Sequence, residues 1–350
     1  MKNLCLVALM ALNLSACQTK TPPETPPDKS SACADAIAYS DEHKGLAVLA
    51  IRKGTVICNS GEVSIQTPNE LWSGTKSFVG IMAAAAVQDG LLTLDEKAAD
   101  TLTEWQNDPT MSQISLRQIL SMTDGQASQI GQPPSYRDAI AVLATAMPGT
   151  KFQYGPTPMQ VFGEIMSRKL AASGQPEDPL AYLDKRILVP LGIRDYQWRK
   201  GEDGNTLMPQ GAIMSASDWA KFGIFVLHEG KIDGAQIVDQ TAFRELFNGS
   251  EANPAYGLTW WLAKPTEVSD QITATTDILK GDGSLPGDLV FAAGAGDQRL
   301  YIIPSRDIVI VRQAELDLKF LAAHGWKSGW SDAAFLKLTL DAESKTEIVP

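Results

Sequence analysis

A serine and a lysine stand three residues apart in the segment LWSGTKSF, at Ser73 and Lys76. Residues with this spacing share one face of a helix, about one turn apart, so the amine could take the proton of the hydroxyl. The alternative is structural: Ser73 caps the helix and Lys76 is a solvated side chain of its first turn. Because a cation is unfavourable at the positive end of a helix, Lys76 needs another reason to be there.

This chemistry sets a condition on the lysine. A serine hydroxyl is a weak nucleophile unless a neighbour accepts its proton, and an ammonium group cannot accept one. Lys76 must therefore be neutral, or share its proton with another group, in the working site. Burial at a helix N-terminus lowers the pKa of a lysine, which is the required direction.

The surrounding sequence predicts the elements that hold this pair. Residues 73–89 are rich in Ala, lack Pro and precede Gly90, which indicates a helix with a glycine at its C-terminal end. A hairpin is predicted over 45–52 and 55–58, and a closing helix over 332–340. Further strands are predicted over 256–262, 289–293, 299–303 and 308–312, and helices over 94–102, 115–122, 136–146, 158–172, 179–187 and 216–228.

This order predicts an α+β fold. Strands near both chain ends, joined by short turns, favour an antiparallel sheet flanked by helices. The stretch from about 92 to 250 is expected to form an inserted, mostly helical subdomain, with Ser73 in the cleft between the two parts. No internal repeat or heptad pattern indicates how many copies of the chain associate.

Several segments resemble serine hydrolases of the class C β-lactamase and penicillin-binding-protein superfamily, the β-lactamase-related proteins. The SGTK string is followed by a small-residue helix, and ISLRQILSMTDG resembles the helix and turn that come next in the family. FQY, GAIMSASDWAKFG, YGLTWW and AAGAGDQRLYIIP resemble later landmarks in the same order. The resemblance spans about residues 33–340 and implies a β-lactamase/transpeptidase-like fold.

The resemblance also implies roles for individual residues. Ser73 would be the nucleophile, Lys76 its base partner and Tyr154 the second proton-transfer group. The third-motif strand, which includes Gly294, would supply the amide of Ala295 as an oxyanion donor. The alternatives are a core tyrosine at 154 and an ordinary glycine-rich turn at 292–295.

Two departures from the family pattern bear on the substrate. Pro156 stands where many relatives have Asn, and Ala293-Gly294-Ala295 stands where β-lactamases and carboxypeptidases have Lys-Thr-Gly. Each missing group would cost a charge-assisted hydrogen bond worth about 1.5 to 3 kcal/mol. We therefore expect an acyl-enzyme hydrolase of esters or uncharged amides. The alternatives are a β-lactamase or D-Ala-D-Ala carboxypeptidase, and a catalytically inactive envelope-binding protein. The pocket could be bordered by Trp72, Trp198 or Trp260, although core packing is the better expectation for any one of them.

The N-terminal residues are expected to direct export. Lys2 and the short apolar stretch 4–14 indicate a signal peptide over residues 1–16. The tetrapeptide Leu14-Ser15-Ala16-Cys17 resembles the bacterial lipobox, which implies acylation of Cys17, although an ordinary secretory signal is the alternative. Residues 18–32 carry two Pro-Pro pairs and predict an extended tether. We expect a membrane-anchored lipoprotein of the cell envelope, and Gln18 after Cys17 favours the outer membrane.

Export leaves Cys33 and Cys58 as a possible disulfide, with two separate buried thiols as the alternative. The serine hydrolase domain is expected over 33–350.

The whole chain has 30 basic and 41 acidic residues, which give a formal net charge of −11. This charge disfavours nucleic-acid partners and leaves a small molecule or peptide as substrate. His43, His228 and His324 lie in no motif, so neither a Ser-His-Asp triad, a metal site nor another cofactor is expected.

Overall fold

The computed structural model describes residues 31–176, 178–268, 276–281, 284–317, 319 and 329–346. The predicted signal peptide, Cys17, nearly all of the tether and His324 lie outside these residues. The α-helices are α1 (Ser31–Glu42), α2 (Glu62–Gln66), α3 (Lys76–Gln88), α4 (Leu116–Leu120), α5 (Tyr136–Ala141), α6 (Thr157–Ala172), α7 (Pro179–Leu183), α8 (Ala216–Leu227), α9 (Gln240–Glu245) and α10 (Asp332–Thr346). The strands are β1 (Gly45–Arg52), β2 (Thr55–Asn59), β3 (Asn69–Glu70), β4 (Gln197–Trp198), β5 (Ala212–Met214), β6 (Lys231–Ile232), β7 (Ala235–Gln236), β8 (Trp261–Leu262), β9 (Val290–Gly294), β10 (Gln298–Ile303) and β11 (Ile308–Ala314).

The central sheet has the strand order β2-β1-β11-β10-β9-β8, and each neighbouring pair is antiparallel. Two strands come from the N-terminal part of the domain and four from the C-terminal part. The predicted α+β fold, with an antiparallel sheet assembled from both chain ends, is therefore confirmed.

Helices cover both faces of this sheet. Alternate side chains of a strand point to opposite sides, so strand β10 contacts a different helix on each face. On one face, Arg299 and Tyr301 of β10 hydrogen-bond to Asp332 at the start of α10. On the other face, Leu300 lies against α8, where a β-carbon added to Gly223 would come within 2.8 Å of the Leu300 side chain. The absence of a side chain at Gly223 lets α8 pack closely on the sheet.

Helix α3 runs through the interior, and its residues from Lys76 through Ala86 are all buried. Small residues explain this position, since Ala83–Ala86 and Gly80 allow neighbours to approach on several sides. A β-carbon on Gly80 would lie 2.7 Å from the carbonyl oxygen of Leu258. The helix that begins three residues after Ser73 is therefore fixed in the core.

The region from about 92 to 250 contains helices α4 to α9 and short pieces of sheet. Strand β5 pairs with β3 and β4 in a three-stranded sheet, and β6 pairs with β7 in a hairpin. Strand β3, which lies outside the region, attaches it to the segment just before Ser73. Within the region, a π-helical segment, Asp184–Leu188, continues α7.

Two predicted helices differ from the structure. The helix predicted over 94–102 is wrong, because only the 3-10 turn Ala98–Asp100 is helical there. The carbonyl of Leu94 instead accepts a hydrogen bond from the amide of Arg117, at 2.7 Å. The helix predicted over 136–146 ends at Ala141, and the amide of Thr145 donates to a distant carbonyl, that of Gly125, at 2.7 Å.

The strand predicted over 256–262 is also shorter than expected, and only Trp261–Leu262 is extended in the sheet. Thr259 has a φ of +73°, a left-handed conformation that interrupts a strand. Its amide donates to the carbonyl of Leu120 at 3.0 Å, which ties this turn to helix α4. Tertiary contact therefore overrides the β-forming composition of the segment.

The structure joins Cys33 of α1 to Cys58 of β2 in a disulfide, with the two Cα atoms 5.2 Å apart. The bridge holds the first helix against the edge strand of the central sheet. Among the described residues, no helix combines the length and apolar character needed to cross a bilayer.

Candidate active site

Ser73 lies in a 3-10 turn, Trp72–Thr75, that leads directly into helix α3. The structural alternative, in which Ser73 caps the helix, is wrong, because α3 begins at Lys76 and Thr75 occupies the N-cap position. Trp72 has a φ of +48°, which is unfavourable for a side chain of this size. The strained residue directly precedes the partly exposed serine, and such strain is typical of functional sites.

The amine of Lys76 reaches back to this serine. Its Nζ lies 2.9 Å from Oγ of Ser73 and donates a second hydrogen bond to the carbonyl oxygen of Pro209 at 3.0 Å. Lys76 is only 3% exposed. Burial lowers the pKa of Lys76 from its ordinary 10.5 to about 7, so a large fraction of the amine is neutral near neutral pH.

Tyr154 packs beside the same amine. The ring centroid of Tyr154 lies 4.8 Å from Nζ of Lys76, and the residue is 6% exposed. Its ring stacks on Trp261 at a centroid distance of 5.5 Å and meets Tyr256 edge to face at 5.9 Å. Ser73 and Lys76 of one turn and Tyr154 of a remote loop therefore lie close together.

Local hydrogen bonds set the position of the Tyr154 loop. The amide of Gln153 donates to the carbonyl of Met122 at 3.0 Å, and its side chain donates to the carbonyl of Ser128 at 2.8 Å. Gly155 fits against Ser128, whose Oγ would lie 2.0 Å from a β-carbon on Gly155. The loop is thus attached on both sides of the tyrosine.

The end of strand β9 lies against the backbone that precedes the serine. A β-carbon added to Gly294 would stand 2.1 Å from the carbonyl oxygen of Leu71, so no other residue fits without movement of the backbone. Ala295 follows Gly294 directly and is partly exposed at the start of the turn to β10. The residues predicted from the third motif are therefore next to the turn that carries Ser73.

Pro209 is the member of this cluster that the sequence did not indicate. It contributes a backbone carbonyl, which every residue type possesses, from 133 positions further along the chain. No side-chain pattern could have identified it. Pro156, which stands at the Asn position of many relatives, caps helix α6 and brings no amide side chain to the site.

The three tryptophans considered for the pocket occupy different environments. Trp260 is completely buried and packs on Phe222 and Phe247, so it belongs to the core. Trp198 is partly exposed and packs edge to face against the buried ring of Phe78. Trp72 is partly exposed beside Ser73, and the guanidinium of Arg199 lies 4.6 Å from its ring centroid.

The histidines lie apart from this cluster wherever the structure describes them. His43 hydrogen-bonds to the carbonyl of Tyr39 at 2.9 Å, and His228 follows the last residue of α8. Within the described ranges, no three side chains of His, Cys, Asp or Glu form a group that could bind a metal ion. The chemistry available to the described site is that of a hydroxyl, an amine, a phenol and backbone groups.

Comparison with known structures gives likenesses over most of the chain. A proposed beta-lactamase from Bacteroides dorei has 17% identity and a TM-score of 0.70, over 90% of this chain and 98% of that one. A proposed 6-aminohexanoate-dimer hydrolase from Bacillus anthracis has 16% identity and a TM-score of 0.65, over 90% of this chain and 82% of that one. At these identities the likeness establishes the fold.

Sequence comparison extends this result. An uncharacterized protein of Alkalihalophilus pseudofirmus is 25% identical over 273 residues, which cover 73% of this chain and 75% of that protein. The model of the Beta-lactamase family matches residues 32–318, which include Ser73, Lys76, Tyr154 and Ala295. A family match over so much of the chain, together with the shared fold, means that this chain belongs to the Beta-lactamase family.

Proposed function

We propose that this protein is a serine hydrolase that works through an acyl-enzyme intermediate. The observation that carries the proposal is the 2.9 Å contact between Nζ of Lys76 and Oγ of Ser73, made by an amine whose pKa is lowered to about 7. A neutral amine at hydrogen-bond distance can accept the serine proton as the oxygen attacks an acyl carbonyl.

Each remaining step has a candidate group. The attack forms a bond from Oγ of Ser73 to the carbonyl carbon and gives a tetrahedral oxyanion, which the backbone amides of Ser73 and Ala295 would stabilise. Lys76 then returns the proton through Tyr154, whose ring lies 4.8 Å from the amine, to the leaving group. Loss of the alcohol or amine leaves an ester on Ser73, and water hydrolyses that ester by the same route.

The carbonyl of Pro209 supports this assignment of the base. A carbonyl oxygen can only accept hydrogen bonds, so it holds one N–H of the amine and orients it. Because the Pro209 carbonyl holds one N–H of the Lys76 amine in place, the lone pair of the neutral amine can be directed to the hydroxyl of Ser73. No carboxylate forms a salt bridge with Lys76 within the described ranges, and burial is the cause of its lowered pKa.

We propose esters or uncharged amides as substrates. The chain has Pro156 where many relatives carry Asn, and Ala293-Gly294-Ala295 where β-lactamases carry a Lys-Thr-Gly motif. The groups that hold the substrate's amide and carboxylate in those relatives are therefore missing at these positions. The two neighbours in fold are named as a proposed beta-lactamase and a proposed hydrolase of the 6-aminohexanoate dimer, and the second name supports an amide substrate other than a β-lactam.

A labelling experiment tests the hydrolase. A fluorophosphonate probe is expected to modify the wild-type protein and to spare Ser73→Ala, and a partly exposed control such as Ser135→Ala should label normally. The same proteins would then be assayed in parallel with p-nitrophenyl esters, anilides and a chromogenic cephalosporin. Folded wild-type protein that remains unlabelled and inactive would contradict the hydrolase and support a catalytically inactive binding protein. Rapid cephalosporin turnover would instead identify a β-lactamase.

We also propose that the protein is an exported lipoprotein, with residues 1–16 as signal peptide and Cys17 as the acylated residue. The tripeptide Leu14-Ser15-Ala16 before Cys17 and the proline-rich stretch after it support this proposal. In cells fed an alkyne-tagged fatty acid, the wild type should carry the tag and fractionate with membranes. Cys17→Ser should lose both properties, and retention of the tag would contradict acylation at this residue.

A further inference from the structure

A buried arginine contacts the carbonyl oxygen of the Gly294–Ala295 peptide, whose amide N–H is the proposed oxyanion donor. Arg299 of strand β10 is 1% exposed, and its Nη1 donates a hydrogen bond to the carbonyl oxygen of Gly294 at 3.3 Å. The carbonyl of Gly294 and the amide N–H of Ala295 belong to the same peptide unit. In a trans peptide these two groups point in opposite directions, so a cation at the carbonyl lies on the side away from the N–H.

We propose that Arg299 is a positioning residue for the oxyanion hole, which orients and polarises the Gly294–Ala295 peptide so that the amide of Ala295 faces the developing oxyanion. This inference rests on the proposed function. It extends that proposal to a residue that would touch neither substrate nor nucleophile.

The guanidinium is itself held in a fixed place. Nε of Arg299 donates to Oδ1 of Asp332 at 2.7 Å, and Nη2 donates to Asp297 at 3.3 Å. Asp332 is fully buried and also accepts hydrogen bonds from the hydroxyl of Tyr301 and from the indole of Trp330. Helix α10, which begins at Asp332, therefore anchors the arginine that contacts the oxyanion peptide.

The electrostatic effect has a definite sign. A guanidinium N–H that is hydrogen-bonded to a peptide oxygen draws electron density toward that oxygen, which makes the N–H at the other end of the peptide a stronger donor. Arg299 and Gly294 are both buried, so solvent screens this effect weakly. The benefit is largest when a negative charge forms in front of Ala295, which happens only in the tetrahedral intermediate.

Stability alone gives a weak reason for this arrangement. A buried ion pair loses the hydration of two charges, and apolar replacements of similar volume are often equally stable or more stable. Arg299 and Asp332 have nevertheless been placed where almost no solvent reaches them. A role in polarising the adjacent peptide gives the buried charge a function.

The neighbouring strand supplies a matched control. Arg312 of β11 lies directly opposite Arg299 and is also fully buried. Its guanidinium donates to the carbonyls of Asp297 and His43 and packs 3.8 Å from the ring centroid of Trp330. Arg312 therefore contacts Asp297 and Trp330, which also surround the Arg299–Asp332 pair, but it makes none of these contacts to the carbonyl of Gly294.

The test compares a double variant, Arg299→Gln with Asp332→Asn, against Arg312→Gln. The double substitution removes both charges of the Arg299–Asp332 pair, so neither of these two is left buried without the other. With a p-nitrophenyl ester, we expect kcat of the double variant to fall about tenfold, less than the 10²- to 10³-fold loss on deleting an oxyanion donor. KM should change by less than about twofold, because the donor acts on the transition state.

A nuclear magnetic resonance measurement separates this inference from the proposed function. The ¹H and ¹⁵N resonances of the Ala295 amide should move upfield in the double variant and stay near their wild-type positions in Arg312→Gln. If the wild type and Ser73→Ala prove equally inactive, the proposed hydrolase fails, while the resonance still reports whether Arg299 polarises the peptide. A folded double variant with kcat and Ala295 resonances like those of Arg312→Gln would overturn the inference.

Arg299→Lys decides the matter if the double variant does not fold. A lysine keeps a charge beside Asp332, but one ammonium group at the end of a shorter side chain cannot serve both Asp332 and the carbonyl of Gly294. We expect a severalfold loss of kcat and an upfield shift of the Ala295 amide. Wild-type values for both measurements would contradict a role for the guanidinium.

Discussion

Gly294 lies so close to Leu71 that a β-carbon on the glycine would stand 2.1 Å from the leucine carbonyl oxygen. This contact fixes the distance between strand β9 and the turn that carries Ser73, two residues after Leu71. Two backbones that approach this closely leave no space for a side chain. The proposed oxyanion donor and the proposed nucleophile are thus positioned by one glycine contact.

Gly294→Ala should damage both stability and activity. The added methyl group would push β9 away from Leu71, and overpacking of this kind costs about 1 to 3 kcal/mol. We expect a lower midpoint of urea unfolding and a loss of ester hydrolysis larger than the loss of folded protein explains.

Gly287→Ala is the matched control, because a β-carbon at Gly287 would meet no atom within 4 Å. That variant should retain wild-type stability and turnover. If Gly294→Ala behaved in the same way, the close packing of β9 on the serine turn would be irrelevant to function.

The pH dependence of hydrolysis should follow the titration of Lys76. Burial lowers the pKa of this amine to about 7, and only the neutral amine can accept the serine proton. The amine is protonated below this pKa, so kcat/KM should rise with pH through about 7 and level off above it. Lys76→Met should remove the activity at every pH tested.

Asp124 needs a control in this experiment because its pKa is also about 7. Burial raises the pKa of this carboxyl, which is 2% exposed. Asp124→Asn removes its titration and should leave the midpoint of the activity profile unchanged. A midpoint that disappears in Asp124→Asn would assign the profile to the carboxyl and contradict the role of Lys76.

The local and the global parts of the site differ in how far the sequence predicts them. Ser73 and Lys76 are three residues apart, so their contact follows from helix geometry and could be predicted directly. The antiparallel sheet could also be predicted, because the sequence shows strands near both chain ends that are joined by short turns. The contact of Lys76 with Pro209 could not be predicted, because a backbone carbonyl leaves no mark in the sequence.

Backbone conformation is a second feature that the sequence does not predict. The strand predicted over 256–262 fails at Thr259, which adopts a left-handed conformation to pair with Leu120. Residue type indicates β-structure there, and only the tertiary partner explains the turn. The sequence does not indicate the role proposed for Arg299 either, because that role depends on a contact with Asp332, 33 residues further on.

The hydroxyl of Tyr154 should be required for turnover but not for folding. Tyr154→Phe keeps the ring that stacks on Trp261 and removes only the proton-transfer group. Loss of a general acid–base group costs about 10²- to 10⁴-fold in rate, so kcat should fall within that range. Tyr196→Phe removes a hydroxyl that donates to Asp184 instead, and it should keep wild-type kcat. Equal activity of the two variants would remove Tyr154 from the mechanism.

The disulfide between Cys33 and Cys58 should contribute to stability and leave catalysis unchanged. It closes a loop between positions 25 residues apart, which restricts the unfolded chain and is worth about 3 kcal/mol. Cys33→Ser with Cys58→Ser should therefore lower the thermal midpoint, and kcat at a temperature where both proteins are folded should be unchanged. Dithiothreitol should destabilise the wild type and have no effect on the double variant. If the reductant lowered both midpoints equally, the loss would come from something other than this bridge, since the variant has no thiols at these positions.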